Sequence, residues 1–327
     1  MPELPEVETV RRGLHRLIIG KTVQSIDFDT PKSFPNPPGD VSSFLVGSQI
    51  KDVRRRAKVL LIDLSTDYTL VIHLKMTGQL VYVAKNAHSR WKVEDGQVAS
   101  AREKYDRNIP IANSSLLNAK TDNVRFGAGH PNDSLIGVLP DRSTRVTIDF
   151  IDDSKLFFND QRKFGWVKLF PTTEVPNIDF MRRVGPEPLE DSFTAEDFIS
   201  RIIRRKGTTI KAAILDQTIL AGVGNIYADE SLWGAKIHPA TRVRDVTHEQ
   251  LAFLLQEIKS VMTLSIEKGG STNRNYVDAE GKRGSYMTFA NVFRREGHPC
   301  NRCGTVITKH KIAGRGTHIC QTCQVVP

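Results

Sequence analysis

Four cysteines, all at or beyond position 300 of a 327-residue chain, decide how its C-terminal end can fold. They stand as Cys300-x2-Cys303 and Cys320-x2-Cys323 with sixteen residues between the pairs, which is the spacing of a four-thiolate zinc site. From about Ser285 the tail is too short to bury a core of its own, so a bound metal would supply the missing folding energy. Two disulfides are the alternative, and they need an oxidising compartment. The acidic start has no apolar stretch behind a basic segment, so no secretion signal is read and the chain is expected to be cytoplasmic, which favours zinc. His298, His310 and His318 lie nearby, but four soft thiolates already fill a tetrahedral site and leave them as loop or contact residues. Such a closed site is structural, not catalytic.

Lys and Arg number 46 against 37 Asp and Glu, giving a net charge of +9 and a pI near 9.4. This balance suits a polyanion such as nucleic acid. Hydrophobic residues make up 39% and charged ones 25%, with no apolar run long enough to cross a membrane, so a membrane partner is not expected. The basic residues cluster at Arg54-Arg55-Arg56-Ala57-Lys58, Arg201 through Lys206, and Arg294-Arg295. Each cluster alone reads as a solvated face; their recurrence beside a nucleic-acid-type zinc module favours a binding surface.

Residues 1 to 175 read as an N-terminal domain dominated by strands. An opening helix carries Val7, Val10, Leu14 and Leu17, followed by apolar runs at Val59–Leu64 and Leu70–Leu74 and a hairpin of Val146–Ile151 with Lys155–Phe158 around Asp152-Asp153. Short strands with polar turns indicate a sandwich. Ala84 to Pro140 lacks periodicity and is rich in Asn, Ser, Gly, Asp and Lys, which predicts an insertion of long loops. After a linker at Pro186 and Pro188, residues 186–284 turn helical. Thr194 can cap one helix, Ile210–Leu215 and Ile226–Leu232 form two more, and Thr247 with Gln250 boxes a long helix that Gly269-Gly270 stops. Residues 285–327 form the finger.

The chain opens Met1-Pro-Glu-Leu-Pro-Glu-Val-Glu-Thr9. If Met1 is removed, Pro2 becomes a secondary amine able to attack a carbonyl-like carbon and form an iminium, with the Glu3 acid one residue away. The same residues also make an ordinary helix start, because proline suits a first turn and Glu stabilises the positive end of the dipole. Gly222-Val-Gly-Asn225 offers backbone N–H groups and the Asn225 amide to a phosphate at a helix start, or serves as a simple inter-helix turn.

Pro2-Glu-Leu-Pro-Glu-Val-Glu-Thr9, Gly222-Val-Gly-Asn-Ile-Tyr-Ala-Asp-Glu-Ser231 and the four-cysteine tail, in that order, closely resemble the bacterial formamidopyrimidine-DNA glycosylase family of the helix–two-turn–helix superfamily. The resemblance covers nearly all of the chain except 84–140. It implies an α+β multidomain protein: an N-terminal β-sandwich with flanking helices, a helical helix–two-turn–helix domain, and a C-terminal four-cysteine zinc finger with one structural zinc ion per chain. The implied function is excision of oxidised purines (8-oxoguanine and formamidopyrimidines) from damaged double-stranded DNA by a monomer, cytoplasmic and nucleoid-associated during repair, with strand nicking by β,δ-elimination.

By this resemblance Pro2 is the nucleophile and Glu3 the acid that helps open the deoxyribose. Lys58 serves the first elimination, and Arg315, in Ala313-Gly-Arg-Gly-Thr317, the second. Met76, Arg162 and Phe164 match the trio that fills the gap left by the extruded base, with Arg162 reading the orphaned cytosine; by sequence alone Met76 and Phe164 would be core. Lys206 and Asn225 match phosphate contacts, and Gly269-Gly-Ser-Thr272 opens a loop expected to close over the flipped base. Ser143-Thr-Arg-Val146 replaces a family His-x-His-Val, so that DNA-contacting histidine has no counterpart. The alternatives are the endonuclease VIII branch, against which Leu4 argues, and a non-catalytic zinc-finger DNA-binding protein, against which Pro2 and Glu3 argue.

Overall fold

The structure is a computed structural model that describes residues 2–85, 123–129, 133–135, 137–271 and 285–326. Helix α1 (Leu4–Ile18) begins where it does because the Glu6 carboxylate reaches back to accept the Glu3 N–H at 2.9 Å and Pro5 lies in the first turn, where its missing N–H costs nothing. Its Leu4 packs into one core and Val7, Val10, Leu14 and Ile18 into another. One helix thus joins two lobes.

The first lobe is the expected sandwich. The chain runs through β1 (Val23–Phe28), α2 (Pro38–Phe44), β2 (Ile50–Arg56), β3 (Val59–Leu64), β4 (Tyr68–His73), β5 (Gly78–Lys85), β6 (Asn123–Gly129), β7 (Thr144–Phe150), β8 (Lys155–Asp160), β9 (Trp166–Pro171) and α3 (Asp179–Arg183). One antiparallel sheet has the order β1-β7-β8-β5-β6 and the other β2-β3-β4-β9. The apolar run of β3 is continuous because both its faces are covered. Leu60 and Ile62 point into the sandwich, whereas Val59 and Leu61 meet Val175 and Phe180 from the segment that follows β9.

Strand β6 differs from the loops predicted for 84–140. It pairs with β5 at the sheet edge, and its Phe126 lies against Gly13 of α1, where a Cβ would come within 2.4 Å of the ring. A short strand is diluted when composition is averaged over so long a window. Residues 86–122, most of the predicted insertion, lie outside the described residues.

In the second lobe, capping boxes at Thr194 and Thr247 start α4 (Ala195–Ile202) and α7 (His248–Glu267), with α5 (Ile210–Leu215) and α6 (Asn225–Gly234) between them. Phe198, Ile202, Tyr227, Leu251, Leu254 and Ile258 form its core. The finger hairpin, β10 (Thr308–Ile312) and β11 (Arg315–Ile319), docks on α6. Glu230 accepts the N–H groups of Asn291, Val292 and Phe293 at 2.8, 2.9 and 2.7 Å, and the Arg302 guanidinium lies 3.9 Å from the Trp233 ring centroid. Among the described residues no helix is long and apolar enough to cross a membrane.

The basic clusters are only partly a surface. Arg55 is nearly buried between Glu8 (3.1 Å) and Glu187 (2.8 Å), Arg56 also reaches Glu187, and Arg54 pairs with Asp63. This cluster ties β2 to α1 and to the inter-lobe linker, because a buried guanidinium must be paired.

Candidate active site

The N-terminal turn is pinned against the Gly222–Asn225 turn. The Leu4 N–H donates to the Gly222 carbonyl at 3.1 Å, and Gly224 has to lack a side chain because a Cβ there would lie 2.0 Å from the Glu3 carboxyl carbon. Glu3 is only 7% exposed. One of its oxygens accepts a long bond from Ile226 N–H at 3.4 Å; the other, Oε2, has no hydrogen-bond partner. Burial, reinforced by the nearby Glu6 carboxylate and opposed by Lys58, pushes the Glu3 pKa up to about 7. Lys58 is buried as well, its Nζ donating to the Val223 carbonyl at 3.1 Å, and burial lowers its pKa against the pull of Glu3 and Glu6. Pro2, the residue before Glu3, is half-buried.

Glu6 organises the layer below. It accepts the Glu3 N–H (2.9 Å), the Tyr227 hydroxyl (2.5 Å) and the Ser271 N–H (2.9 Å), and Tyr227 also meets Ser265 at 2.7 Å. The predicted base-closing loop lies outside the described residues from Thr272 onward. On the finger side, the Asn225 amide donates to the Gly316 carbonyl at 2.9 Å and holds the turn of exposed Arg315 within electrostatic reach of Lys58. Beneath it, fully buried Lys211 donates to Asp229 and Thr317, both at 2.6 Å, and Asp229 accepts the His318 N–H at 2.9 Å. The hairpin is therefore anchored from within.

The structure gathers Lys58, the Asn225 turn and the Arg315 turn about Glu3, the residue after Pro2, and forms a second group from Met76, Arg162 and Phe164. Met76 and Phe164 are 44% and 47% exposed, not core. The Arg162 guanidinium lies 4.7 Å from the Phe164 ring centroid and its Nη1 3.5 Å from Met76 Sδ. Lys206 stands exposed after α4. Arg145, within the Ser143–Val146 segment, is buried and bonded to Asp29 (2.7 Å) and to the carbonyls of Asp160 (2.8 Å) and Arg142 (2.7 Å), so three of its five donors are held inside the lobe. Sequence reasoning overlooked Glu6, Tyr227, Lys211 and Asp229. A lysine inside the apolar Ile210–Leu215 helix was the available signal, since a buried ammonium needs a carboxylate.

The four cysteines are unbridged and their Sγ atoms all lie within 4.8 Å of one another, with Cys300–Cys323 at 4.0 Å and Cys303–Cys320 at 3.3 Å. Tetrahedral zinc with Zn–S bonds of about 2.3 Å would set sulfur atoms about 3.8 Å apart, so the cluster fits the ion.

Residues 1–167 match the model of the formamidopyrimidine-DNA glycosylase N-terminal domain, 184–277 its H2TH domain, and 297–325 a zinc finger found in FPG and IleRS. The chain belongs to the formamidopyrimidine-DNA glycosylase family. Formamidopyrimidine-DNA glycosylases of Pediococcus pentosaceus and Ligilactobacillus salivarius are 38% and 37% identical to it, covering 100% of this chain and 100% and 99% of their own. Lactococcus lactis Fpg, solved in complex with DNA containing an abasic site, is 30% identical with a TM-score of 0.77, covering 99% of each chain. Thermus thermophilus MutM (Fpg) is 30% identical with a TM-score of 0.75, covering 100% of each. The protein is thus a DNA glycosylase of base-excision repair with a C-terminal zinc finger.

Glu3 lowers the stability of this glycosylase at neutral pH. Its folded pKa of about 7 exceeds the ordinary 4.5, so between these values the folded chain holds a proton that the unfolded chain has released. Stability therefore falls as pH rises from 4.5 to 7 and levels off above, a loss on the order of 3 kcal/mol. Glu3→Gln should raise Tm by several degrees at pH 8 and leave it nearly unchanged at pH 4.5. Thermal unfolding at both pH values checks this, and an equal Tm at pH 8 contradicts it.

Proposed function

We propose that the enzyme excises oxidised purines from duplex DNA through a covalent intermediate on Pro2 and then nicks the strand by β,δ-elimination. The environment of Glu3 carries this reading: a buried carboxyl that keeps its proton near neutrality, one oxygen unpartnered, next to a proline that Met1 removal turns into an amine. The amine attacks the sugar C1′, the glycosidic bond breaks, and the base leaves with its bonding electrons and takes up a proton. Glu3 protonates the ring oxygen, opening the sugar and leaving an iminium. The acidified C2′ proton is then removed, with Lys58 serving this step, and the 3′ phosphate departs. A second elimination, served by Arg315, releases the 5′ phosphate.

Lys206 and Asn225 contact backbone phosphates, Asn225 while also holding the Gly316 carbonyl. Met76, Arg162 and Phe164 fill the gap left by the extruded base. Cys300, Cys303, Cys320 and Cys323 hold one structural zinc per chain, and the enzyme acts as a monomer. Duplexes carrying 8-oxoguanine, a formamidopyrimidine, an oxidised pyrimidine or plain guanine test the reading. Rapid excision of the first two, leaving phosphate at both sides of a one-nucleotide gap, is expected; preference for the pyrimidine would place the enzyme with the endonuclease VIII branch.

Arg162 should set the choice of opposing base. A guanidinium only donates hydrogen bonds, and cytosine offers O2 and N3 as acceptors, whereas adenine presents an amino donor, a mismatch costing about 1–3 kcal/mol. Arg162→Ala should narrow the cytosine-to-adenine ratio of single-turnover rates by about tenfold. Equal losses on the two duplexes would show that Arg162 only positions the backbone.

A further inference from the structure

The Met76 and Arg162–Phe164 turns emerge at one end of the same sheet, because Gly78 of β5 is paired in register with Asp160 of β8. Both turns hold a non-glycine residue in left-handed backbone conformation, Lys75 at φ 51° and Lys163 at φ 54°. Such turns persist only when their surroundings determine them, and their inward N–H groups need acceptors.

One side chain supplies those acceptors to both turns. Asp160 is 0% exposed. Its Oδ1 accepts the Thr77 hydroxyl from the first turn and the Arg162 N–H from the second at 3.1 Å. Its Oδ2 accepts the N–H groups of Phe164 at 2.9 Å and Gly165 at 2.6 Å. The Thr77 Oγ1 itself lies 3.2 Å from the Arg162 N–H, so it bridges the turns a second time. Gly165 permits this approach, since a Cβ there would come 2.8 Å from the Phe158 ring and 2.9 Å from the His73 carbonyl. From behind, Arg145 donates to the Asp160 carbonyl at 2.8 Å and buttresses the clamp.

We propose that Asp160 is a positioning residue: its carboxylate locks the two turns in register, so that Met76, Arg162 and Phe164 stand assembled as one wedge before DNA is bound. The three side chains touch one another, Arg162 lying against both Met76 and Phe164. The two turns are joined at their bases by the β5–β8 and β4–β9 pairings, but their tips, Met76 and Arg162, come from loops 86 residues apart, and without the clamp the wedge side chains would have to be ordered during base extrusion. The proposal rests on the reading that these three residues fill the gap, and its test separates the two.

Asp160→Asn preserves volume but turns an amide NH2 toward groups that are themselves donors. Single-turnover excision of 8-oxoguanine opposite cytosine should fall by about tenfold to a hundredfold, as expected for misplacing a wedge by about 1 Å. Borohydride trapping on a single-stranded oligonucleotide with a preformed abasic site has no opposing base and no gap to fill, and should change by less than about twofold, as should the effect of Asp160→Asn in an Arg162→Ala/Phe164→Ala background. Thr77→Val, which removes one donor to the carboxylate and one acceptor of the Arg162 N–H but leaves the carboxylate in place, should give the same pattern more weakly. Equal losses on both substrates, additive losses in the triple variant, or an unchanged duplex rate for both Asp160→Asn and Thr77→Val would overturn the proposal. If Arg162→Ala/Phe164→Ala itself excises at the wild-type rate, the gap-filling reading fails instead, and the clamp loses its function with it.

Discussion

Protein that keeps Met1 is expected to bind a lesion-bearing duplex and to excise nothing from it. With Met1 attached, the Pro2 nitrogen is part of a tertiary amide whose lone pair is delocalised into the carbonyl, and it cannot form an iminium. The loss should be on the order of a thousandfold or more in single-turnover rate, the scale seen when an enzyme is deprived of its nucleophile. Binding should persist because Arg162, Lys206 and the finger lie on other elements. Comparing preparations whose intact masses show Met1 present or absent decides the point. Full excision by the Met1-bearing form would remove Pro2 from the reaction.

The second large effect is expected from the finger. Its buried apolar cluster holds little beyond Val292, Ile307 and two of the cysteines themselves, whereas the sandwich has a core drawn from α1 and both sheets. Structural zinc sites contribute about 10–16 kcal/mol of apparent binding energy in finger peptides, so this small cluster depends on the ion. Cys320→Ser should therefore lower zinc content and cut duplex affinity by about a hundredfold, through loss of the hairpin that carries Arg315. The thermal transition of the N-terminal lobe should remain. Unchanged binding in zinc-free protein would show that the finger is dispensable for DNA.

Much of this fold was legible because its signals are local. The capping boxes at Thr194 and Thr247 and the period of the α7 stripe lie within a few residues of the elements they start, and β3 is a bare apolar run. That the four cysteines converge was legible from their spacing. What escaped depends on partners distant in sequence. Arg55 reads as part of a basic patch until Glu187 is brought across the linker to meet it. Asp160 reads as an ordinary turn acid until β5 pairs with β8 and sets Thr77 beside it. Met76 and Phe164 have the composition of core, and only the turns that thrust them outward show otherwise. The geometry of Glu3 lay in between: Gly224 is visible in the sequence, but that its missing side chain makes room for this carboxyl is not.

The central claim is a covalent bond between Pro2 and the sugar of the damaged nucleotide. Borohydride reduction during turnover on a duplex with 8-oxoguanine opposite cytosine would convert the iminium into a stable amine, and digestion followed by mass spectrometry would locate it. The account predicts a single cross-link, on the nitrogen of a chain that begins at Pro2. A cross-link on Lys58 or another lysine, or excision at the full rate with none trapped, would contradict it.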